Sequence, residues 1–106
     1  MLTAIDFDSV IVKRTGIPTN SNVWTDLPME GAIETLWLLK ENKIDFYIFT
    51  NRPKPDWKKI KKWLNDWKFP DKILVTNVKQ PGTSQYLDDR AIRFTNFNDF
   101  RKLIGL

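Results

Sequence analysis

The sequence predicts a Rossmann-like three-layer α/β fold: a mostly parallel sheet of about five strands, with helices on its faces and no substantial cap domain. Three observations carry this. Short β-branched and aromatic runs alternate with amphipathic stretches of helical period, the pattern of βαβ units joined by right-handed crossovers. The 106 residues leave room for a single domain spanning 1–106. Seven Phe, five Trp and two Tyr in a 42% hydrophobic chain supply a small core of bulky members.

The elements follow in order. Leu2 to Asp6 reads as a short buried strand ending in acid, and the segment from Ser9 to Leu27, with Gly16, Pro18, Asn20, Ser21 and Asn22, reads as loop. Pro28 suits the first turn of a helix, and Ala32, Ile33, Leu36, Trp37 and Leu39 keep one apolar face to about Asn42. Ile44 to Thr50 is aromatic and β-branched, a second and central strand. Pro55 and Asp56 open another helix, with Trp57, Ile60, Trp63, Leu64 and Trp67 on one side and lysines on the other. Phe69-Pro70-Asp71 ends it. Strands are expected at Ile73–Thr76, at Tyr86-Leu87 and at Ala91–Phe94, and Asn96 with Asp99 three residues on resembles a capping box for a last helix through Phe100, Leu103 and Ile104.

Absences narrow the chemistry more than abundances do. With no His and no Cys, the chain can form no Ser-His or Cys-His nucleophile pair, no zinc site of thiolate or imidazole, no disulfide and no iron–sulfur cluster. Carboxylate chemistry with a hard cation such as Mg²⁺ remains. No apolar run approaches the ~18 residues of a membrane span and no signal-like segment precedes the first strand, so a cytoplasmic protein without a membrane partner is expected. The net charge is +4. From Arg52 to Lys72 eight basic residues face three acidic ones, so that stretch is +5 and the remainder about neutral.

Ligands of open α/β sheets bind beyond the carboxyl ends of the strands, and the sequence puts reactive groups there. Asp6 and Asp8 close the first strand, Thr50 the second and Asp88-Asp89 the fourth, with Lys79 in the loop before it. In a chain with ten Asp, an isolated acidic pair is ordinarily a helix cap, a turn or a solvated loop. The conjunction at three strand ends is less ordinary. Carboxylates gathered at one edge repel one another unless a cation sits among them.

The motifs have a family counterpart. Asp6-Phe7-Asp8-Ser9-Val10 resembles motif I of the haloacid dehalogenase-like phosphatases, Phe49-Thr50-Asn51-Arg52 motif II, Lys79 in TNVKQPG motif III, and Tyr86-Leu87-Asp88-Asp89-Arg90-Ala91 motif IV. They occur in the family order and cover nearly the whole chain, which resembles a minimal, capless member. The resemblance implies Asp6 as nucleophile, Asp8 as general acid and base, Thr50 bonded to the phosphoryl oxygens and Lys79 holding Asp6 and the phosphoryl charge. It implies Mg²⁺ between Asp6, the Asp8 carbonyl and Asp89, with Asp88 in support, and Asn51 and Arg52 against the substrate. Two positions depart from the pattern: Ser9 replaces the usual Gly and Val10 the commoner Thr.

The expected function is therefore Mg²⁺-dependent phosphomonoester hydrolysis through an aspartyl-phosphate on Asp6. Without a cap the site is open, which suits nucleotides or nucleic-acid ends. Arg52, Lys54, Lys58 and Lys61 could draw in a polyanion, although a lysine face over a buried Trp stripe is ordinarily just solvated. Trp24 could stack on a base. The alternative is a non-catalytic binding module on the same fold for nucleic acid or another phosphorylated partner. A phosphoacceptor receiver domain uses similar groups but places its acidic pair first and its lysine last, the reverse of the order here.

Overall fold

Parallel pairing gathers four short strands into one sheet. In the computed structural model, which describes residues 1–13, 26–70, 72–91 and 94–106, the elements run β1 (Leu2–Asp6), α1 (Ala32–Glu41), β2 (Asp45–Phe49), α2 (Lys54–Asp66), β3 (Val75–Thr76), β4 (Thr83–Leu87) and α3 (Phe97–Leu103). The strand order is β3-β2-β1-β4 and every pairing is parallel. Among the described residues this is the expected Rossmann-like α/β arrangement without a cap, with four strands rather than about five. The expected strand at 91–94 includes 92 and 93, which lie outside the described residues, as do Trp24 and most of the 9–27 segment.

Strand alternation assigns the faces. Ile5, Ile48 and Val75 join Leu36 of α1 and Ile60, Trp63 and Leu64 of α2 in one buried cluster, so both helices cover the same face. Trp63 is held there by its indole N–H, which donates to the Asp26 carbonyl at 3.1 Å. Tyr47 points to the other face and is also buried. Its hydroxyl lies 2.8 Å from Thr83 Oγ1 and accepts from the Gln80 N–H at 3.2 Å. The segment leading into β4 is thereby tied against that side of the sheet.

Pro28 does not start a helix. It bridges Val12, while the Lys13 N–H donates to the Leu27 carbonyl at 2.8 Å and the Met29 N–H to the Ile11 carbonyl at 2.7 Å. Backbone groups used in that pairing are unavailable to a helical turn, and α1 begins only after Gly31 at φ 79°. Pro55 does lie in the first turn of α2, as expected. At its far end Lys68 turns left-handed at φ 68°, with the Lys68 N–H on the Asn65 carbonyl and the Phe69 N–H on the Leu64 carbonyl, both at 2.9 Å. This is a Schellman closure made without glycine. Asn96 caps α3 as the sequence predicts, its Oδ1 accepting from the Asp99 N–H at 2.8 Å. No residue of α3 is buried, and Phe97 and Leu103 lie open.

Candidate active site

The site is built around a ring set between two acids. Phe7 is fully buried, edge-on to Trp63 with centroids 5.3 Å apart. Its carbonyl accepts from the Ile11 and Val12 N–H groups at 3.0 and 3.1 Å. Anchored by that ring, the chain leaves Asp6 and Asp8 half-buried at the carboxyl edge of the sheet. Ser9 then turns left-handed at φ 63°, a conformation that favours glycine.

Parallel pairing of β1 with its neighbour β4, Ile5 opposite Leu87, brings Asp88 and Asp89 beside Asp6. Carboxylate oxygens of Asp6, Asp88 and Asp89 all lie within 4.8 Å of one another. The Asp6 carboxyl is pushed up to about 6, mainly by burial and further by the charges of Asp88, Asp8 and Asp89, against the lowering effect of the Phe7 N–H that donates to Asp6 Oδ1 at 2.8 Å. Three acids this close could hold a hard divalent cation with oxygen ligands. Asp88 Oδ1 also accepts from the Arg90 N–H at 2.8 Å, which fixes the turn after β4.

Asp8 lines a cavity with these acids and is held by a cationic side chain. Both its oxygens are held by Arg52, Oδ2 by Nε and Oδ1 by Nη2, each at 2.9 Å. Arg52 Nη1 donates to Asp56 Oδ2 at 3.1 Å. Arg52, expected against the substrate, is thus committed to two carboxylates, which also raise its own pKa despite burial, the largest and opposing effect. Thr50 is buried at the end of β2, and its hydroxyl accepts from the Arg52 N–H at 3.1 Å. The Arg52 carbonyl accepts from the Trp57 indole N–H at 3.0 Å. The start of α2 therefore grips Arg52 through backbone and side chain together.

Two neighbouring cavities share Asp6 and Asp88. One of about 320 Å³ is lined by Asp6, Asp8, Ser9, Asn51, Asp88, Asp89 and Arg90. The other, about 260 Å³, has Phe49, Tyr86 and Leu87 in its wall with Lys79. Lys79 Nζ sits 5.5 Å from the centre of the Tyr86 ring, and among the described residues no carboxylate lies within ion-pairing distance of it. The structure thus places Asp6, Asp8, Asn51, Asp88 and Asp89 around one cavity and Lys79 beside Asp6 in the next. Thr50 lies just behind them. Two residues of the cluster were not expected at the site from the sequence: Asp56, placed only at a helix start, and Arg90, quoted only within the YLDDRA motif. Asp56 carried a usable signal, four residues after Arg52 at a helix start.

Fold and site together define a Rossmann-like α/β chain with an acidic cavity at the carboxyl edge of a parallel sheet. No family model matches the chain, and no curated protein matches it in sequence. Among solved structures, a conserved protein from Bacteroides thetaiotaomicron is similar over 99% of this chain and 89% of its own, with a TM-score of 0.65 and 20% identity. That likeness shows the fold. No helix among the described residues is long and apolar enough to cross a membrane.

Proposed function

We propose that this chain is a Mg²⁺-dependent phosphomonoester hydrolase acting through an aspartyl-phosphate on Asp6. The observation that carries the reading is the convergence of Asp6, Asp88 and Asp89 within 4.8 Å at the mouth of a polar cavity. These three carboxylates would hold the cation, which when bound offsets the repulsion between a carboxylate nucleophile and a phosphate dianion.

The chain's own residues supply the rest. Asp6 Oδ1 is engaged by the Phe7 N–H, so attack on phosphorus falls to Oδ2. A bond forms from that oxygen to phosphorus as the ester P–O bond breaks. Asp8 takes up a proton from solvent, gives it to the departing oxygen, and later takes one from the water that hydrolyses the acyl phosphate. To do so it must release at least one of its two contacts with Arg52, and a phosphoryl group offers that guanidinium an equivalent bidentate partner. Lys79 leaves the Tyr86 ring to meet the phosphoryl charge.

A second reading, a phosphate-binding module without turnover, draws on one observation: in this geometry Arg52 occupies both oxygens of Asp8. A phosphatase assay on an aryl phosphate and a panel of nucleotides and sugar phosphates separates the two. Wild-type turnover should require Mg²⁺ and vanish with chelator. Asp6→Asn should abolish it, and Asp8→Asn should cut it by about 100-fold or more. Undiminished turnover in purified Asp6→Asn protein would remove the mechanism, and binding without turnover in the wild type would favour the module.

A further inference from the structure

We propose that the solvent face of α2 is a track for single-stranded nucleic acid, guiding a phosphorylated end into the acidic cavity; the substrate class rests on the phosphohydrolase reading, the binding surface does not. The placement of α2 comes first. The helix starts two residues after Arg52, which grips Asp8, and three after Asn51, which lines the cavity. Its positive dipole end therefore adjoins the site.

Periodicity then orders the charge. Ile60, Trp63 and Leu64 face the core, and Lys54, Lys58 and Lys61, at i, i+4 and i+7, form a separate stripe leading away from the cavity, with Lys54 and Lys58 exposed and Lys61 half-buried at its far end. At 1.5 Å per residue that stripe runs about 10 Å along the axis, room for two or three successive phosphates of a strand. The acids of α2 do not neutralise it. Asp56 is turned to Arg52 at 3.1 Å and Lys59 at 3.9 Å, and Asp66 pairs with Lys62 at 3.3 Å at the far end. Among the described residues, Lys54, Lys58 and Lys61 have no carboxylate within 4 Å.

Such a row matches a polymer with one charge per repeat, and the match would be wasted on a small phosphate ester. A phosphopeptide offers a single dianion at one place, so three cations in a row favour a strand with repeated charges. Neutralising three phosphates of a single strand gives a slope of about −2 in log affinity against log salt, a loss of roughly 15-fold between about 50 and 200 mM.

The test compares wild type with the combined Lys54→Glu, Lys58→Glu, Lys61→Glu variant, none of whose residues belongs to the catalytic cluster. Fluorescence anisotropy with labelled oligothymidylate measures the surface without requiring turnover, and kcat/KM for end-phosphorylated oligothymidylate against thymidine monophosphate measures its use. Wild type should bind the oligomer with that salt slope and prefer it as substrate by roughly tenfold or more. The variant should lose both properties while hydrolysing the mononucleotide as before. Equal oligomer binding by the two proteins, or tighter binding of a phosphopeptide than of the oligomer, would overturn the track. Failure of both substrates to turn over would sink the phosphohydrolase reading instead, with the anisotropy still deciding the surface.

Discussion

At the level of single residues, Phe7 and Ser9 do as much for the site as the acids they separate. Phe7 is a core residue in the middle of the motif, and its ring fixes where Asp6 and Asp8 emerge. Ser9 adopts φ 63°, where a side chain costs about 1–2 kcal/mol relative to relaxed backbone. Ser9→Gly should therefore raise stability by up to about 1 kcal/mol, visible as a higher Tm in thermal melting; an unchanged or lower Tm would mean the hydroxyl repays the strain. The Ser-for-Gly departure was visible in the sequence, but its consequence was not, because only the backbone trace tells which residue of a turn is left-handed. The destination of Arg52 was hidden for a similar reason. A guanidinium beside a motif reads equally well as a ligand for substrate or for a neighbouring acid, and Asp8 lies forty-four positions away.

Among the elements, legibility followed apolar periodicity. The stripe of α2, the strand at Asp45–Phe49 and the cap at Asn96 all stood out because their signals are local. Pro28 misled because a tertiary pairing with 11–13 outweighed a weak positional preference. β4 extends back to Thr83, beyond the expected Tyr86-Leu87; Thr83, Ser84 and Gln85 carry no apolar run, and Thr83 and Gln85 pair only because β1 offers them partners, with the register shifting past Ser84. The last helix was read correctly as a helix, yet none of its residues is buried. Deleting 96–106 should accordingly shift Tm by no more than a few degrees, since no side chain of α3 reaches the buried core. A large drop in Tm on that deletion would show that α3 contributes packing after all.

For the molecule as a whole, the acidic edge links stability to pH and to cation. The folded-state pKa of Asp6 lies at about 6 against an ordinary 3.8, so the folded chain binds that proton more tightly than the unfolded one. Without metal, stability should then fall as pH rises from about 4 to about 6, with the penalty complete above that window and absent below it. Cation binding among the ionised acids reverses the penalty. Mg²⁺ should raise Tm clearly near pH 7.5 and little near pH 4.5, where protons compete for the same oxygens. Equal Mg²⁺ shifts at both pH values would place the ion elsewhere. The fold could be anticipated from alternation alone; the cluster of three acids needed the parallel pairing of β1 and β4, in which residues more than eighty positions apart become neighbours.

The most direct measurement is a crystal structure grown with Mg²⁺ and beryllium fluoride, a mimic of a phosphoryl group on a carboxylate. The account predicts the fluoride complex joined to Oδ2 of Asp6, a cation bound by Asp6 together with Asp88 or Asp89, and Arg52 drawn from Asp8 toward the fluorides. An Asp6 carboxylate bare under those conditions, with Asp88 and Asp89 turned to solvent and no cation among them, would contradict it.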